Sequence, residues 1–413
     1  MNTARLEASL HEINQIGGSP GEGNTRLAYT KEHWAANDYF IKKCRDEGMS
    51  IRIDACGNVI ARLEGIEPDL PAVACGSHLD TVQQGGRYDG TLGVLAGLEI
   101  IRTLNENGIL TRRSIEIISF ACEESARFGV STIGSKAMAG KLEKLPLEQL
   151  YDKDGISFPE ALASVGLNVE RIGRARRSGN ELRAFFELHI EQGPLLERIE
   201  KQVGIATGIA APTRLEVIIQ GKASHSGTTP MKMRKDALVG AAEIVTGLEK
   251  AALAEAQYGT VATTGVCNVR PGAMNVIPDS VHLQMEIRGT VKESKKAVLE
   301  YLLRLFQELE RSRGLMISSR ILSHEDPVLL DGQMVRFLSS QCDNQGITYV
   351  NMVSGAGHDA MNMASLCPTG LIFIPSHDGV SHHKDECSTI EQIDKGAFLL
   401  KESVLQCAEI VQR

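Results

Sequence analysis

Residues 76–90 read G-S-H-L-D-T-V-Q-Q-G-G-R-Y-D-G, and the segments on either side of them decide the fold. The short apolar segment 71–75 has no helical period and predicts a buried strand, whereas the long apolar-periodic segment that follows predicts a helix. The strand leads into His78 and Asp80, and the helix begins beside Asp89. Open α/β sheets place their chemistry at the carboxyl ends of such strands, so this stretch predicts a functional edge.

The polar residues of this stretch allow an ordinary and a chemical interpretation. A single His-X-Asp sequence at a strand end is more often a hydrogen-bonded polar pair than a metal ligand with its carboxylate partner. In the chemical interpretation, His78 binds a metal and Asp80 accepts the other ring N–H, which fixes the tautomer. Asp89 is by position either a cap of the following helix or a further ligand. The rest of the chain has to decide between the two interpretations.

Length and composition restrict the class of protein. A chain of 413 residues exceeds the size at which one hydrophobic core keeps growing, which predicts two domains. Its 42% hydrophobic and 23% charged residues are ordinary for a soluble globular protein. A net charge of -8 without basic blocks argues against nucleic acid or an anionic membrane as a partner. No apolar run reaches the roughly 18 residues that a membrane span needs.

The nine cysteines and the amino terminus indicate the compartment. The cysteines are odd in number and include no C-x-x-C pair, which argues against a disulfide framework and against a cysteine-based zinc site. The first residues lack the basic and then apolar order of a signal peptide. We therefore expect a cytoplasmic protein whose thiols are mostly small buried hydrophobes.

The order of predicted elements divides the chain into two domains. The strand before His78, the following helix and the strand 114–121 form a β-α-β run, which predicts an α/β domain with a mixed sheet and helices on both faces. Later in the chain, a β-α-β-β-α-β order is typical of a ferredoxin-like α+β unit. We therefore expect a first domain formed by residues 1–210 and 328–413 and interrupted by an inserted domain, residues 211–327.

Further polar residues follow the predicted strands of the first domain. Glu123 and Glu124 come after strand 114–121, and His189 follows the predicted strand 182–187. An isolated Glu-Glu pair is more often an exposed turn, but adjacent side chains point in different directions, so one could face a metal and the other a water molecule. The strand-end candidates are His78, Asp80, Asp89, Glu123, Glu124, His189 and His382. Mixed histidine and carboxylate ligation without thiolate fits zinc, manganese, cobalt or nickel, and two such ions could promote hydrolysis.

Several motifs together resemble those of a known family. They are G-S-H-L-D-T-V, G-G-R-Y-D-G, the pair Glu123-Glu124, E-L-H-I-E-Q-G, H-S-G-T-T-P-M-K-M-R-K-D, N-V-I-P and G-V-S-H-H. In this order and over nearly the whole chain, they resemble the hydantoinase/carbamoylase amidases of the metal-dependent aminoacylase/carboxypeptidase superfamily. The family contains N-carbamoyl-L-amino-acid hydrolases, allantoate amidohydrolases and β-ureidopropionases. The resemblance implies a di-metal hydrolase domain interrupted by an inserted lid and dimerisation domain.

The resemblance also implies a role for each strand-end residue. Two divalent metal ions per subunit would be bound by two ligand sets that share one carboxylate: His78, Asp89 and His189 for one ion, and Asp89, Glu124 and His382 for the other. Glu123 would be the general base that moves a proton from water to the leaving nitrogen. Asp80 would orient His78. His383 occupies a position that varies in the family and is more simply explained as a solvated loop histidine.

Substrate contacts are implied for the inserted domain. His225 would reach the active site of the partner subunit and stabilise the tetrahedral oxyanion. Asn275 and Arg288 would bind the substrate carboxylate, for which a planar guanidinium is well suited. Arg288 has a structural ion pair as its alternative. Arg214 matches an arginine of the allantoate enzymes and would favour a second polar or anionic group, unless it only packs on the lid.

In the first domain, the resemblance implies that Gln192, Gly357 and His358 line the pocket for the ureido group or the carboxylate. The tail of the His382 loop, residues 384–388, departs from the family wording and is expected to touch no proposed ligand.

The leading expectation is a cytoplasmic homodimer that hydrolyses the carbamoyl C–N bond of an N-carbamoyl-L-amino acid, giving the amino acid, carbon dioxide and ammonia. Allantoate is the alternative substrate, and β-ureidopropionate or another small N-acyl amino acid is the third. A non-catalytic metal- or metabolite-binding protein is disfavoured because Glu123 is present together with every proposed ligand. A peptidase of the same superfamily is disfavoured by His189, where many of those peptidases have a carboxylate.

Overall fold

The protein divides into two compact units in the computed structural model, which describes residues 1–19, 21–142 and 145–412. The first unit comprises Met1–Thr207 and Leu330–Arg413, and the second comprises Gly208–Leu329. The segment expected as an insertion therefore lies within the second unit.

Helices and strands follow one another along the chain as the mixed pattern predicts. The helices are α1 (Thr3–Ile13), α2 (Lys31–Asp46), α3 (Thr91–Asn107), α4 (Ile133–Met138), α5 (Phe158–Ser164), α6 (Leu195–Arg198), α7 (Ala237–Ala254), α8 (Lys292–Arg313), α9 (Gly332–Gln345), α10 (Ala360–Met363) and α11 (Ile390–Ala408). The strands are β1 (Gly18–Ser19), β2 (Gly23–Asn24), β3 (Ser50–Ile53), β4 (Val59–Leu63), β5 (Ala72–His78), β6 (Leu110–Thr111), β7 (Ile115–Phe120), β8 (Leu182–Ile190), β9 (Val203–Ile209), β10 (Ala211–Gln220), β11 (Ser224–His225), β12 (Val261–Arg270), β13 (Val276–Ile277), β14 (Ser280–Gly289), β15 (Met316–His324), β16 (Val328–Leu329), β17 (Tyr349–Ser354), β18 (Thr369–Ile374) and β19 (Ile410–Gln412).

The first unit is built on a mixed sheet, as predicted. Its strands run in the order β9-β18-β8-β5-β7-β4-β3, and β17 also pairs with β9. The central strands β18, β8, β5 and β7 are parallel, whereas β9 and β4 pair antiparallel to their neighbours. Parallel strands bring their carboxyl ends to one edge of a sheet, so the segments that follow β5, β7, β8 and β18 meet there. This edge carries the candidate site.

Helices and apolar side chains cover the sheet in two separate cores. One core contains β5 and β7 side chains, such as Cys75 and Ile117, together with apolar residues of α1, α2, α3, α9 and α11. The other contains Cys122 and residues of α4 and α5, among them Ile133 and Phe158. Helix α3 packs on β5 and is buried on most of its surface, which explains why its sequence is apolar on nearly every side. The loop that joins β5 to α3 is thereby held between two buried elements.

One predicted boundary differs in a way that matters for the site. The predicted strand 182–187 continues as β8 to Ile190, so His189 lies inside the strand rather than after it. The pairing of Phe373 with His189 and of Ile374 with Ile190 extends β8 along its parallel neighbour β18. Cross-strand pairing thus lengthens a strand beyond its own apolar run.

The second unit has the β-α-β-β-α-β order of a ferredoxin-like arrangement. Its antiparallel four-stranded sheet has the order β12-β14-β10-β15, and α7 and α8 pack on it over a core of its own. A small two-stranded sheet pairs Ser224 with Ile277 and His225 with Val276. Throughout the described parts of the chain, every helix is too short or too polar to cross a membrane.

Candidate active site

His78 stands at the end of β5, where its side chain is only 2% exposed. Its Nδ1 lies 2.9 Å from the carbonyl oxygen of Asp80. Because a carbonyl can only accept, this hydrogen bond places the ring proton on Nδ1 and leaves a lone pair on Nε2. Nε2 lies 3.4 Å from Asp89 Oδ1 and 3.7 Å from Glu123 Oε2. Nε2, the nitrogen that would bind a metal, therefore faces two carboxylates.

The carboxylate of Asp80 has a different partner from the one predicted. Its Oδ1 lies 3.9 Å from His78 Nδ1, so the hydrogen bond that orients His78 is made by the Asp80 carbonyl instead. The carboxylate accepts the backbone N–H of Glu123 on Oδ1 at 3.2 Å and that of Glu124 on Oδ2 at 3.0 Å. Asp80 thus connects the end of β5 to the end of β7.

His189 is oriented in the same manner as His78. Its Nδ1 lies 2.9 Å from the carbonyl oxygen of Ile190, which again leaves the lone pair on Nε2. This nitrogen lies 3.1 Å from Asp89 Oδ1 and accepts the backbone N–H of Gly90 at 3.1 Å. Both buried histidines consequently converge on one oxygen of Asp89.

Asp89 is placed to bridge two groups of ligands. Oδ1 faces the two buried histidines, while Oδ2 lies 3.4 Å from His382 Nε2 and accepts a hydrogen bond from Gln192 Nε2 at 2.8 Å. Burial would raise the pKa of Asp89, but the three neighbouring histidines, His189, His382 and His78, hold it well below its usual value.

Glu123 and Glu124 lie side by side and are both 7% exposed. The preceding residue, Cys122, has a φ of 53°, a left-handed conformation that turns the chain sharply out of β7. Burial raises the pKa of Glu123 well above its usual value and that of Glu124 to about 7. Glu124 Oε1 lies 3.4 Å from His382 Nε2, whereas Glu123 faces His78. The two adjacent carboxylates therefore have different neighbours.

The residues that the resemblance implies as ligands come together in two groups that could hold a metal ion. One set of possible ligand atoms belongs to His78, Asp89 and His189, and another to Asp89, Glu124 and His382; within each set the atoms lie within 4.8 Å of one another. Imidazole nitrogens and carboxylate oxygens without thiolate are a donor set for zinc, manganese, cobalt or nickel. The residues present therefore fit two divalent ions that share Asp89.

Gln192 has a side-chain oxygen without a partner among the described residues. Its Nε2 lies 2.8 Å from Asp89 Oδ2 and 3.2 Å from Ser381 Oγ, but its Oε1 is buried and accepts no hydrogen bond. Its φ of 58° is unusual for a residue with a side chain and fixes the direction of the amide. An unsatisfied buried acceptor favours a ligand that brings an N–H group.

His358 packs on His189, and Gly357 precedes it in the chain. The ring of His358 is 4.6 Å from the ring of His189, and its Nε2 lies 3.0 Å from the hydroxyl of Ser354. Burial holds the pKa of His358 well below its usual value, so the ring is neutral. A Cβ at Gly357 would meet nothing closer than Met361 Sδ at 3.9 Å.

The second unit contains the other residues that the sequence singles out. His225 is exposed, and its Nδ1 accepts the backbone N–H of Gly227 at 3.0 Å. The carbonyl of Asn275 accepts the backbone N–H of the residue after His225 at 3.1 Å, so these two candidates belong to one small hairpin. Both carry groups that remain open to a ligand on the surface of this unit.

Arg214 and Arg288 share one carboxylate. Arg214 Nε donates to Glu286 Oε2 at 2.7 Å, and Arg288 Nε donates to Glu286 Oε1 at 2.9 Å. The ion pair that was the alternative for Arg288 is therefore present. It holds both guanidinium groups on the same partly exposed face of the sheet.

Glu386 and Ser381 are site residues that the sequence reasoning missed. The tail 384–388 was expected to touch no proposed ligand, but Glu386 Oε1 accepts the backbone N–H of Asp89 at 3.1 Å. Ser381 Oγ lies 3.2 Å from Asp89 Oδ2. A signal in the sequence was the position of both residues within five residues of His382.

Comparison with known proteins places this geometry in a family. The model of Peptidase family M20/M25/M40 matches residues 74–406. The N-carbamoyl-L-amino acid amidohydrolase of Geobacillus stearothermophilus is 39% identical over 98% of this chain and 98% of its own. The allantoate amidohydrolase of Escherichia coli (strain K12) is 32% identical over 98% of this chain and 97% of its own.

A solved structure shows the same fold. The hydantoinase/carbamoylase family amidase from Burkholderia multivorans superposes with a TM-score of 0.90 and 35% identity, over 98% of both chains. The fold and the sequence similarity extend over almost the whole length. The chain therefore belongs to Peptidase family M20/M25/M40 and, within it, to the hydantoinase/carbamoylase amidases, which hydrolyse carbon–nitrogen bonds other than peptide bonds.

Proposed function

We propose that the protein hydrolyses the carbamoyl C–N bond of an N-carbamoyl-L-amino acid and releases the amino acid, carbon dioxide and ammonia. The observation that carries the proposal is the pair of ligand sets sharing Asp89, with the Glu123 carboxyl beside them and free of hydrogen-bond partners among the described residues. The names of the relatives, an N-carbamoyl-L-amino acid amidohydrolase and an allantoate amidohydrolase, support a substrate with a ureido group.

The chain supplies most of the chemistry through its own residues. Two divalent ions held by the ligand sets would polarise the scissile carbonyl and lower the pKa of a water molecule. Glu123 accepts a proton from the attacking water and donates it to the leaving nitrogen. Burial raises the pKa of this carboxyl, which favours a group that has to hold the proton between the two steps.

Gln192 supports a ureido substrate in particular. Its buried Oε1 requires an N–H donor, and a carbamoyl group offers an NH₂ and an N–H next to the scissile carbon. We expect this contact to orient the substrate while Asp89 remains fixed by Gln192 Nε2. Arg288 and Asn275 would bind the substrate carboxylate, and His225 would stabilise the oxyanion.

The second unit is also the proposed lid and dimer interface. Strand β12 is an edge strand of 10 residues, and apart from its last residue, Arg270, it carries no charged side chain. The opposite edge strand, β15, has Arg320 at its centre, and charge at an edge discourages pairing. Val261 of β12 is 59% exposed, and Leu253 of the adjacent α7 is 68% exposed. We therefore expect a second copy of the chain to pair along β12.

The test of the function is ammonia release. Protein freed of metal and reloaded with manganese or zinc would be supplied with N-carbamoyl-L-amino acids, their D-forms, allantoate and β-ureidopropionate. Preferred turnover of the L-carbamoyl substrates supports the proposal. Inactivity on all of these ureido substrates, together with activity on a dipeptide, would refute it.

Allantoate is the second candidate because of Arg214. An additional guanidinium beside Arg288 favours a substrate with a second polar or anionic group. If allantoate is preferred, Arg214→Ala should reduce its turnover more strongly than that of an N-carbamoyl amino acid. Equal losses on both substrates would assign Arg214 to the packing of the sheet.

Sharing of sites between subunits has a separate test. His225→Ala lowers turnover in our proposal, and so does Glu123→Gln. Mixed dimers of the two variants should recover part of the activity, because one of their sites combines an intact His225 with an intact Glu123. No recovery in verified heterodimers would place all catalytic groups within one chain.

A further inference from the structure

Glu386 is a buried carboxylate that the proposed reaction does not use. It lies in the loop between β18 and α11 and is 3% exposed. Its Oε1 accepts the backbone N–H groups of Tyr88 and Asp89 at 2.9 and 3.1 Å. These two amides belong to the turn that delivers Asp89 to the ligand sets. Glu386 therefore holds the backbone of the bridging residue from a segment almost 300 residues away in sequence.

The other oxygen of Glu386 takes part in the same arrangement. Ser381 Oγ lies 3.2 Å from Glu386 Oε2 and 3.2 Å from Asp89 Oδ2. Gln192 Nε2 lies 3.2 Å from the same hydroxyl. Glu386 thus holds the backbone of Asp89 directly, and the Ser381 hydroxyl lies between the carboxylates of the two residues, where it can donate to either.

The fold reserves space for this carboxylate. A Cβ built on Gly86 would lie 2.1 Å from Glu386 Cδ and 2.2 Å from its Oε1. Gly86 is not in the left-handed region, so its lack of a side chain serves the close approach of Glu386 rather than the backbone conformation. The second glycine of G-G-R-Y-D-G and Glu386 therefore belong to one contact.

We infer that Glu386 is a positioning residue, which holds the Asp89 carboxylate in the orientation that lets its two oxygens serve two metal ions. The inference rests on the proposed metal-dependent function. Glu386 belongs to neither ligand set; it acts on Asp89 through the turn amides, with Ser381 beside both carboxylates. Residues that orient a metal ligand in this way typically contribute about 10- to 100-fold to metal affinity.

The test uses the full chain, freed of metal by a chelator and titrated with Co²⁺ alone, with binding followed by visible absorption. Glu386→Ala should weaken the binding of Co²⁺ by about 10- to 100-fold. Glu386→Gln should restore it, because the amide oxygen still accepts from both backbone N–H groups. Gly86→Ala, which pushes the carboxyl aside, should reproduce the loss. Asp385→Ala is the matched control, since this neighbouring carboxylate is exposed and, among the residues that the structure describes, is paired only with Lys384 and His383.

The outcomes separate this inference from the function it rests on. Wild-type affinity in Glu386→Ala and Gly86→Ala would overturn the positioning role, and so would a Glu386→Gln variant as weak as Glu386→Ala. If Glu386→Ala does not fold, the Co²⁺ affinities of the other two variants still test the positioning role: wild-type affinity in Gly86→Ala, or weak binding in Glu386→Gln, would overturn it. Failure of the wild type to bind two Co²⁺ ions per chain would instead refute the proposed function, and this inference with it.

Discussion

Replacing Gly90 by alanine should disable the first ligand set. Gly90 precedes α3, and a Cβ at this position would lie 2.4 Å from Cε1 and 2.5 Å from Cδ2 of the His78 ring. Carbon atoms in contact prefer about 3.5 to 4.0 Å, so the ring would have to retreat by about 1 Å. Metal–ligand distances tolerate only about 0.2 Å, so His78 would no longer bind an ion in common with Asp89.

The size of the effect follows from this displacement. We expect Gly90→Ala to weaken binding at this ion by about 100-fold or more, the upper end of the range for changes that merely disturb a ligand's orientation. The backbone contributes a second cost, because Gly90 has a φ of 63°. A side chain in the left-handed region costs about 1–2 kcal/mol, which lowers the free energy of unfolding independently of metal.

A control for the backbone cost lies at the other end of the same helix. Gly108 follows α3 with the same φ of 63°, although its ψ is 25° compared with -47° at Gly90, and a Cβ there would meet nothing within 4 Å. Gly108→Ala should therefore lose about 1 kcal/mol of stability in urea unfolding and keep its metal affinity. Titration of both variants with Co²⁺ separates the two effects. Wild-type affinity in Gly90→Ala would refute the placement of His78 as a ligand.

Other perturbations test the base, the scaffold and the metals. Glu123→Gln should retain both ions but lose about 100- to 10,000-fold in turnover, and a near-normal rate would contradict its role as base. Glu116→Ala should lower the free energy of unfolding by about 1–3 kcal/mol, because the buried Arg177 loses this partner and is left with the more exposed Glu181. A urea curve that coincides with that of the wild type would be inconsistent with this. Burial lowers the pKa of His33 to about 4, so His33 stays neutral in the folded state but gains a proton in the unfolded state below pH 6.5. The free energy of unfolding should therefore fall by up to about 3 kcal/mol as the pH drops to 4, and it should fall less in His33→Asn. Parallel pH profiles of the free energy of unfolding in the two proteins would rule this contribution out. Removal of metal by a chelator should lower the urea concentration at the unfolding midpoint, because an ion at 100 times its dissociation constant adds about 2.7 kcal/mol per site to the free energy of unfolding. An unchanged midpoint would argue against tight metal binding.

The edge of the sheet and its histidines could be predicted because they depend on local pattern. His78 follows a short apolar run that predicts a strand. In a β-α-β order the strands are parallel, so their carboxyl ends meet at one edge of the sheet whatever the details of packing. The role of Asp80 could not be predicted in the same way. In a His-X-Asp sequence, the histidine can donate a hydrogen bond either to the aspartate carboxylate or to the aspartate backbone carbonyl. Here the position of β7 directs the Asp80 carboxylate to the amides of Glu123 and Glu124, which leaves the carbonyl for His78.

Glu386 escaped prediction for a related reason. Its carboxylate is defined by contacts with Gly86 and with amides at Tyr88 and Asp89, and no periodicity links positions so distant in the chain. Backbone N–H groups also leave no trace in the sequence, because every residue except proline has one. Contacts of side chains with distant backbone are therefore where reasoning from the sequence ends and coordinates are required.

The electrostatics of the site explain why so many acidic groups persist in the interior. Asp80, Asp89, Glu123, Glu124 and Glu386 are all buried, and among the described residues no ion pair joins any of them to a lysine or an arginine. Burying charge without compensation is costly, and the pKa values of Glu123, Glu124 and Glu386 are raised accordingly. Two of these carboxylates are satisfied by backbone amides, which leaves Asp89 and the glutamate pair to be neutralised by cations. Divalent ions would supply that positive charge. The cluster of buried carboxylates that destabilises the metal-free protein would therefore also create its affinity for the metal ions on which hydrolysis depends.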